Sequence, residues 1–139
     1  MRRLAALLAG VLLLSSCAAA QETVQGMRDR IADIDIDATL DGLRDCDQLS
    51  EAFVGVVQTA ADTVDGLAER TDGRVPVTDI RNAVDNIAVS RYFDFAETIG
   101  CAELQQRLNT IDQLRDLSPD TPAGEDFLEE ILRQVETQT

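Results

Sequence analysis

Residues 47–70 read DQLSEAFVGVVQTAADTVDGLAER, and this stretch decides the fold. Leu49, Phe53, Val56, Val57, Ala60, Val64 and Leu67 recur at steps of three and four, which places them along one face of an α-helix. Asp47 is the expected N-cap, and Gly73 falls just past the end. One apolar face of this length needs other apolar faces to cover it, so the flanking sequence must supply them.

Downstream it does. Arg74-Val75-Pro76 breaks the pattern, and Thr78 then offers a cap for a further helix carrying Ile80, Ala83, Val84, Ile87, Phe95 and Ile99. Gly100 ends that helix, and a bend is expected between Ser90 and Asp94. The next helix follows Cys101, with Leu104, Leu108, Ile111, Leu114 and Leu117 as its apolar side, and stops at Ser118-Pro119. The last opens at Thr121-Pro122, a cap followed by proline in the first turn, and carries Phe127, Leu128, Ile131, Leu132 and Val135.

Upstream, Val24, Met27, Ile31, Ile34, Leu40 and Leu43 stand near helical spacing between Thr23 and about Arg44. Ile34 and Ile36 alternate there with Asp33, Asp35 and Asp37, the mark of a break or an extended stretch. No strand pattern and no internal repeat competes. The expected fold is an all-α, up-and-down bundle of four to five helices, one domain over residues 23–139.

The N-terminus has a different grammar. Arg2 and Arg3 precede an apolar run from Leu4 to Leu14, then Ser15, Ser16 and Cys17. Charge, apolar core and small residues in this order make a secretory signal over residues 1–16, and eleven apolar residues are too few for an ordinary spanning helix, which needs about 20. Leu14-Ser15-Ser16-Cys17 resembles the lipobox of bacterial lipoproteins. The resemblance covers residues 1–17 and implies attachment of diacylglycerol to the Cys17 sulfur, cleavage before it, and often acylation of the new amino terminus. Two or three chains anchor stably, since each buried methylene is worth about 0.8 kcal/mol and one chain alone is marginal. The implied location is the outer face of the cytoplasmic membrane or the outer membrane, and Ala18 matches the residue that permits outer-membrane sorting in a two-membrane cell. Ala18 to Glu22 form a short tether with nothing to bury, expected to be disordered.

Once Cys17 is lipidated, Cys46 and Cys101 remain, and an even remainder in an exported protein reads as a disulfide. The two fall at the same end of an up-and-down bundle, because a chain that climbs through one helix and descends through the next returns to its starting level. Their separation is unlike the close Cys-x-x-Cys spacing of redox enzymes, which favours a structural bridge over a redox pair.

Composition removes whole classes of function. Without the signal and its two arginines, 26 acidic groups face ten arginines, a formal charge of −16 that repels nucleic acid. There is no histidine, which excludes the usual zinc sites and serine-histidine chemistry. All twelve basic residues are arginine, as expected from a GC-rich genome, and the body resembles the small helical lipoproteins of GC-rich bacteria, a likeness that implies no function.

Three constellations remain. Asp33, Asp35 and Asp37 have the spacing of the first calcium ligands of an EF-hand, but Ala38 stands where the loop needs glycine and Arg44 where it needs a bidentate glutamate. Glu129 and Glu130, with Glu125 and Asp126 a turn earlier, suit the positive end of a helix better than an acid/base pair. Tyr92 and Phe93 cannot both face one core on a regular helix, so one of them is a candidate partner surface, while Phe95 continues the apolar stripe. The functional expectation is a non-enzymatic binding or interaction module of the cell envelope, without metal or cofactor, bound to a membrane through Cys17 and to an envelope protein partner. The alternative is a carrier of an apolar ligand or lipid, with Phe53, Val57, Ile87 and Leu108 lining its cavity.

Overall fold

The structure, a computed structural model, describes residues 24–138, so the signal, Cys17 and the tether lie outside the described residues. Helices joined by short turns make up these residues, with no strand among them. The helices are α1 (24–32), α2 (Ile36–Leu40), α3 (Cys46–Arg70), α4 (Val77–Asn86), α5 (Val89–Thr98), α6 (Glu103–Arg115) and α7 (Pro122–Thr137).

Helix α3 is the centre of the bundle and packs against α2, α5, α6 and α7. Its expected stripe is buried as read, and Ala61 and Ala68 widen it, as suits a helix covered on several sides. The cap is Asp45 rather than Asp47: its carboxylate accepts the Asp47 and Gln48 amides at 3.0 Å each, while Asp47 sits in the first turn. At the other end the Gly73 amide reaches back to the Ala68 carbonyl at 2.7 Å, with Gly73 itself in the left-handed region (φ 78°).

The descending leg is two helices rather than one with a bend near residue 92. Ala88 adopts left-handed φ and ψ of 54° each, a conformation costing a non-glycine residue about 1–2 kcal/mol. The step lets Ile87 and Val89 both be buried against the core, although two residues so spaced lie about 160° apart around one continuous helix. It also resets the helical phase, so Tyr92, Val89 and Ala96 face the core and Phe95 and Ile99 are only half-buried. Helix α4 begins after Pro76, and Thr78 lies inside its first turn without capping it.

Helix α6 then rises beside α3, and α7 descends from a Thr121 cap whose hydroxyl accepts the Gly124 amide at 3.2 Å. Cys46 and Cys101 are disulfide-bonded, with Cα atoms 5.8 Å apart and a sequence separation of 55. Closing a loop of that size stabilises the folded state by about 4 kcal/mol on the chain-entropy account.

The first segment is broken, as its alternating aspartates allowed. Asp35 caps α2 by accepting the Ala38 amide at 3.0 Å, and Asp37 pairs with Arg91 at 2.6 Å. Arg28 of α1 pairs with the buried Asp79 of α4. These two ion pairs fix direction: residues 28 to 37 descend beside residues 79 to 91, so Val24 lies at the end of the bundle that holds the α3–α4 turn, opposite the disulfide.

Candidate functional site

At the disulfide end, four buried polar side chains meet: Ser50, Tyr92, Gln106 and Thr110. The Gln106 amide nitrogen donates to the Tyr92 hydroxyl at 2.7 Å and lies 2.9 Å from both the Ser50 hydroxyl and the Cys46 carbonyl. The Thr110 hydroxyl donates to the Gln106 backbone carbonyl at 2.7 Å, so at its 2.7 Å contact with Tyr92 it accepts the phenol proton. The Ser50 hydroxyl, 3.1 Å from Tyr92 and 3.2 Å from Thr110, completes the knot. Phe53 stacks on Tyr92 with ring centroids 4.1 Å apart. Each hydroxyl spends its hydrogen-bonding capacity inside the knot, and Ser50 and Thr110 are sealed from solvent, so the arrangement fixes α3, α5 and α6 in register.

Sequence reasoning missed this knot because Leu104 and Leu108 drew attention to the wrong face of α6. Leu104 is 65% exposed and Leu108 50%, whereas Gln106, Thr110, Ile111 and Leu114 are buried. The available signal was the run Gln106, Thr110, Leu114, Leu117 at helical spacing, with Ser50 on α3 and Tyr92 on α5 as polar partners.

Toward the α3–α4 turn, Asp65 is a second buried polar group. Its carboxylate accepts the Asp120 amide at 2.8 Å, the Thr121 amide at 3.1 Å and the Thr121 hydroxyl at 2.6 Å, clamping the start of α7 to α3. The positive end of α7 favours this anion. Gly124 makes room, since a Cβ there would lie 2.0 Å from the carboxylate oxygen.

The surface of the described residues includes an acidic cleft and a groove. An acidic cleft of about 230 Å³ beside the disulfide is lined by Phe93, Asp94, Glu97, Cys101, Glu103 and Gln138 among others. A groove of about 360 Å³ between α4 and α7 is lined by Val77, Ile80, Arg81, Asp126, Glu129, Glu130 and Arg133. Within it Arg133 hydrogen-bonds Glu130 and holds that carboxyl below the usual glutamate range, while Glu130 raises the Arg133 guanidinium in return.

Of the residues singled out by sequence, Cys46 and Cys101 are joined at the cleft, and Phe93 lines it half-buried. Tyr92 is removed as a partner surface, because its side chain is wholly buried beneath Phe53 and the knot. Cys17 lies outside the described residues. Phe53, Val57 and Ile87 are packed in the core and Leu108 stands outside it, so these four line no common cavity. Among the described residues no cluster of histidine, cysteine and carboxylate groups has the form of a metal site, and no helix is long and apolar enough to cross a membrane. Compared with known protein families, curated proteins and solved structures, the chain finds no match in any of the three.

Proposed function

We propose that this chain is an exported lipoprotein, held to the outer face of the cytoplasmic membrane or to the outer membrane by acyl groups on Cys17, whose helical body is a non-enzymatic interaction module. Leu14-Ser15-Ser16-Cys17, directly after a charged and then an apolar segment, is the observation that carries this reading. The disulfide supports it, since such bridges persist in oxidising compartments. An interaction module is favoured over a lipid carrier because the candidate lining residues are packed in the core or turned outward, and because α6 shows solvent two large leucines.

The test is intact-mass analysis, under non-reducing conditions, of the full chain expressed in a bacterium. The expected product begins at Cys17, carries two or three acyl chains and lacks free thiols, while Cys17→Ser yields a soluble protein. A mature chain without acyl groups overturns the anchor, and a stoichiometric lipid extracted from the soluble body replaces the interaction module with the carrier.

A further inference from the structure

We infer that the end of the bundle carrying the α3–α4 turn faces the lipid bilayer, with Arg70, Arg74 and Val77 against the headgroups and the disulfide end turned away. This rests on the lipoprotein reading of Cys17 and adds an orientation to it.

The described chain starts at Val24. The pairs Arg28–Asp79 and Asp37–Arg91 lay α1 and α2 parallel to the descending leg, which brings Val24 to the α3–α4 end. From Cys17 to Val24 there are seven peptide steps, which reach about 25 Å when fully extended. Helix α3, with 25 residues, is about 37 Å long. The tether is therefore too short for the body to stand on its disulfide end, which would hold Val24 farther from the bilayer than the chain can span.

The two ends also differ in charge. At the α3–α4 turn, Arg70 and Arg74 balance Glu69 and Asp72, and Val77 is 59% exposed. The Arg74 side chain is 83% exposed, meets only the equally exposed Asp72 at 4.0 Å, and is long enough to reach phosphate while leaving its stem on the acyl boundary. Around Cys46, by contrast, Asp41, Asp45, Asp47 and Glu51 stand beside Arg44, and the cleft adds Asp94, Glu97 and Glu103, the last paired with Arg107. The α6–α7 turn lies at the same end as the α3–α4 turn and adds Asp116 and Asp120 beside Arg115, so a membrane surface of negative potential repels the more acidic disulfide end more strongly. Leu104, at the start of α6 beside the disulfide, is then displayed outward.

The chain contains no tryptophan, so single indoles report single sites. Val77→Trp and Leu104→Trp, each in the full acylated chain, would be reconstituted into vesicles of phosphatidylcholine and phosphatidylglycerol containing a lipid with a nitroxide on its headgroup. The expected result is loss of most of the fluorescence of Val77→Trp and little of Leu104→Trp. The same Val77→Trp substitution on a Cys17→Ser background should lose none, which separates tethered contact from the affinity of an indole for lipid. Equal quenching at the two sites, stronger quenching of Leu104→Trp, or undiminished quenching without Cys17 overturns the orientation. The mass of each sample separates the two failures: an acylated protein quenched at the wrong site sinks the orientation alone, whereas a chain without acyl groups sinks the anchor and the orientation together.

Discussion

Helices α3 and α6 rise side by side from the same disulfide, yet different forces hold them. Along α3 the inward face is an apolar stripe from Leu49 to Ala68 with Ser50 and Asp65 as its two buried polar members, and most of its contribution comes from area removed from water. The first half of α6 instead turns Gln106 and Thr110 inward and leaves Leu104 and Leu108 in solvent. Those two turns are held by directional hydrogen bonds to Ser50, Tyr92 and the Cys46 carbonyl, and only from Ile111 onward does apolar burial take over. The difference teaches that a helix is oriented by what it meets. Helix α6 meets a hydroxyl from α3 and a phenol from α5, and leaving them unmatched would cost about 1–3 kcal/mol for each buried group, comparable with the gain from burying a leucine.

The contrast can be broken most forcefully on α3. Phe53→Ala removes a fully buried ring and the face stacked on Tyr92, with an expected loss of about 3–5 kcal/mol in denaturant unfolding. Next comes Gln106→Leu, which adds apolar surface but strips the donor from Tyr92, Ser50 and Cys46. A loss of about 1–3 kcal/mol is expected from the same measurement. If Gln106→Leu were stabilising, α6 would be held by area as α3 is, and the contrast would disappear. The double change Leu104→Gln with Leu108→Gln should move stability by no more than about 0.5 kcal/mol, because both side chains are already in water. A larger loss would mean that these leucines are covered in solution.

The smallest effect is expected outside both helices, at the exposed Glu130–Arg133 pair of α7. Hydrogen bonding to Arg133 lowers the Glu130 carboxyl from its usual range, so the pair's stabilisation is fully present above that range and is lost as pH falls through the lowered native value. Solvent screening keeps it small, and Glu130→Gln should shift the thermal midpoint by about 2 °C or less at neutral pH and not at all below the native titration.

Much of the fold was legible because it depends on periodicity and on chain punctuation. The stripe of α3, the Gly100 stop, the Thr121-Pro122 start and the pairing of Cys46 with Cys101 follow from local chemistry and helix-hairpin geometry. What escaped was set by tertiary contact. The left-handed step at Ala88 carries no glycine to announce it, and it alone decides that Tyr92 rather than Phe95 enters the core. The phase of α6 depends on Ser50 and Tyr92, residues distant in sequence whose hydroxyls give an inward Gln106 a reason. Asp45 and Asp47 are equally good caps by composition, and only the path of the incoming chain chooses between them.

The Asp65 clamp bears on ancestry. Glycine inside a helix normally costs about 1 kcal/mol relative to alanine, so Gly124 would be expected to drift to alanine wherever nothing opposes the change. Here a carboxylate on another helix opposes it, and the carboxylate is itself held by Thr121. The contacts therefore couple positions 65, 121 and 124, with Pro119 Cβ 2.8 Å from the same Cβ position, and Asp65 with Thr-Pro-Ala-Gly at 121–124 forms a compact fingerprint. Kin that have drifted past recognition in every other residue should still be legible by it.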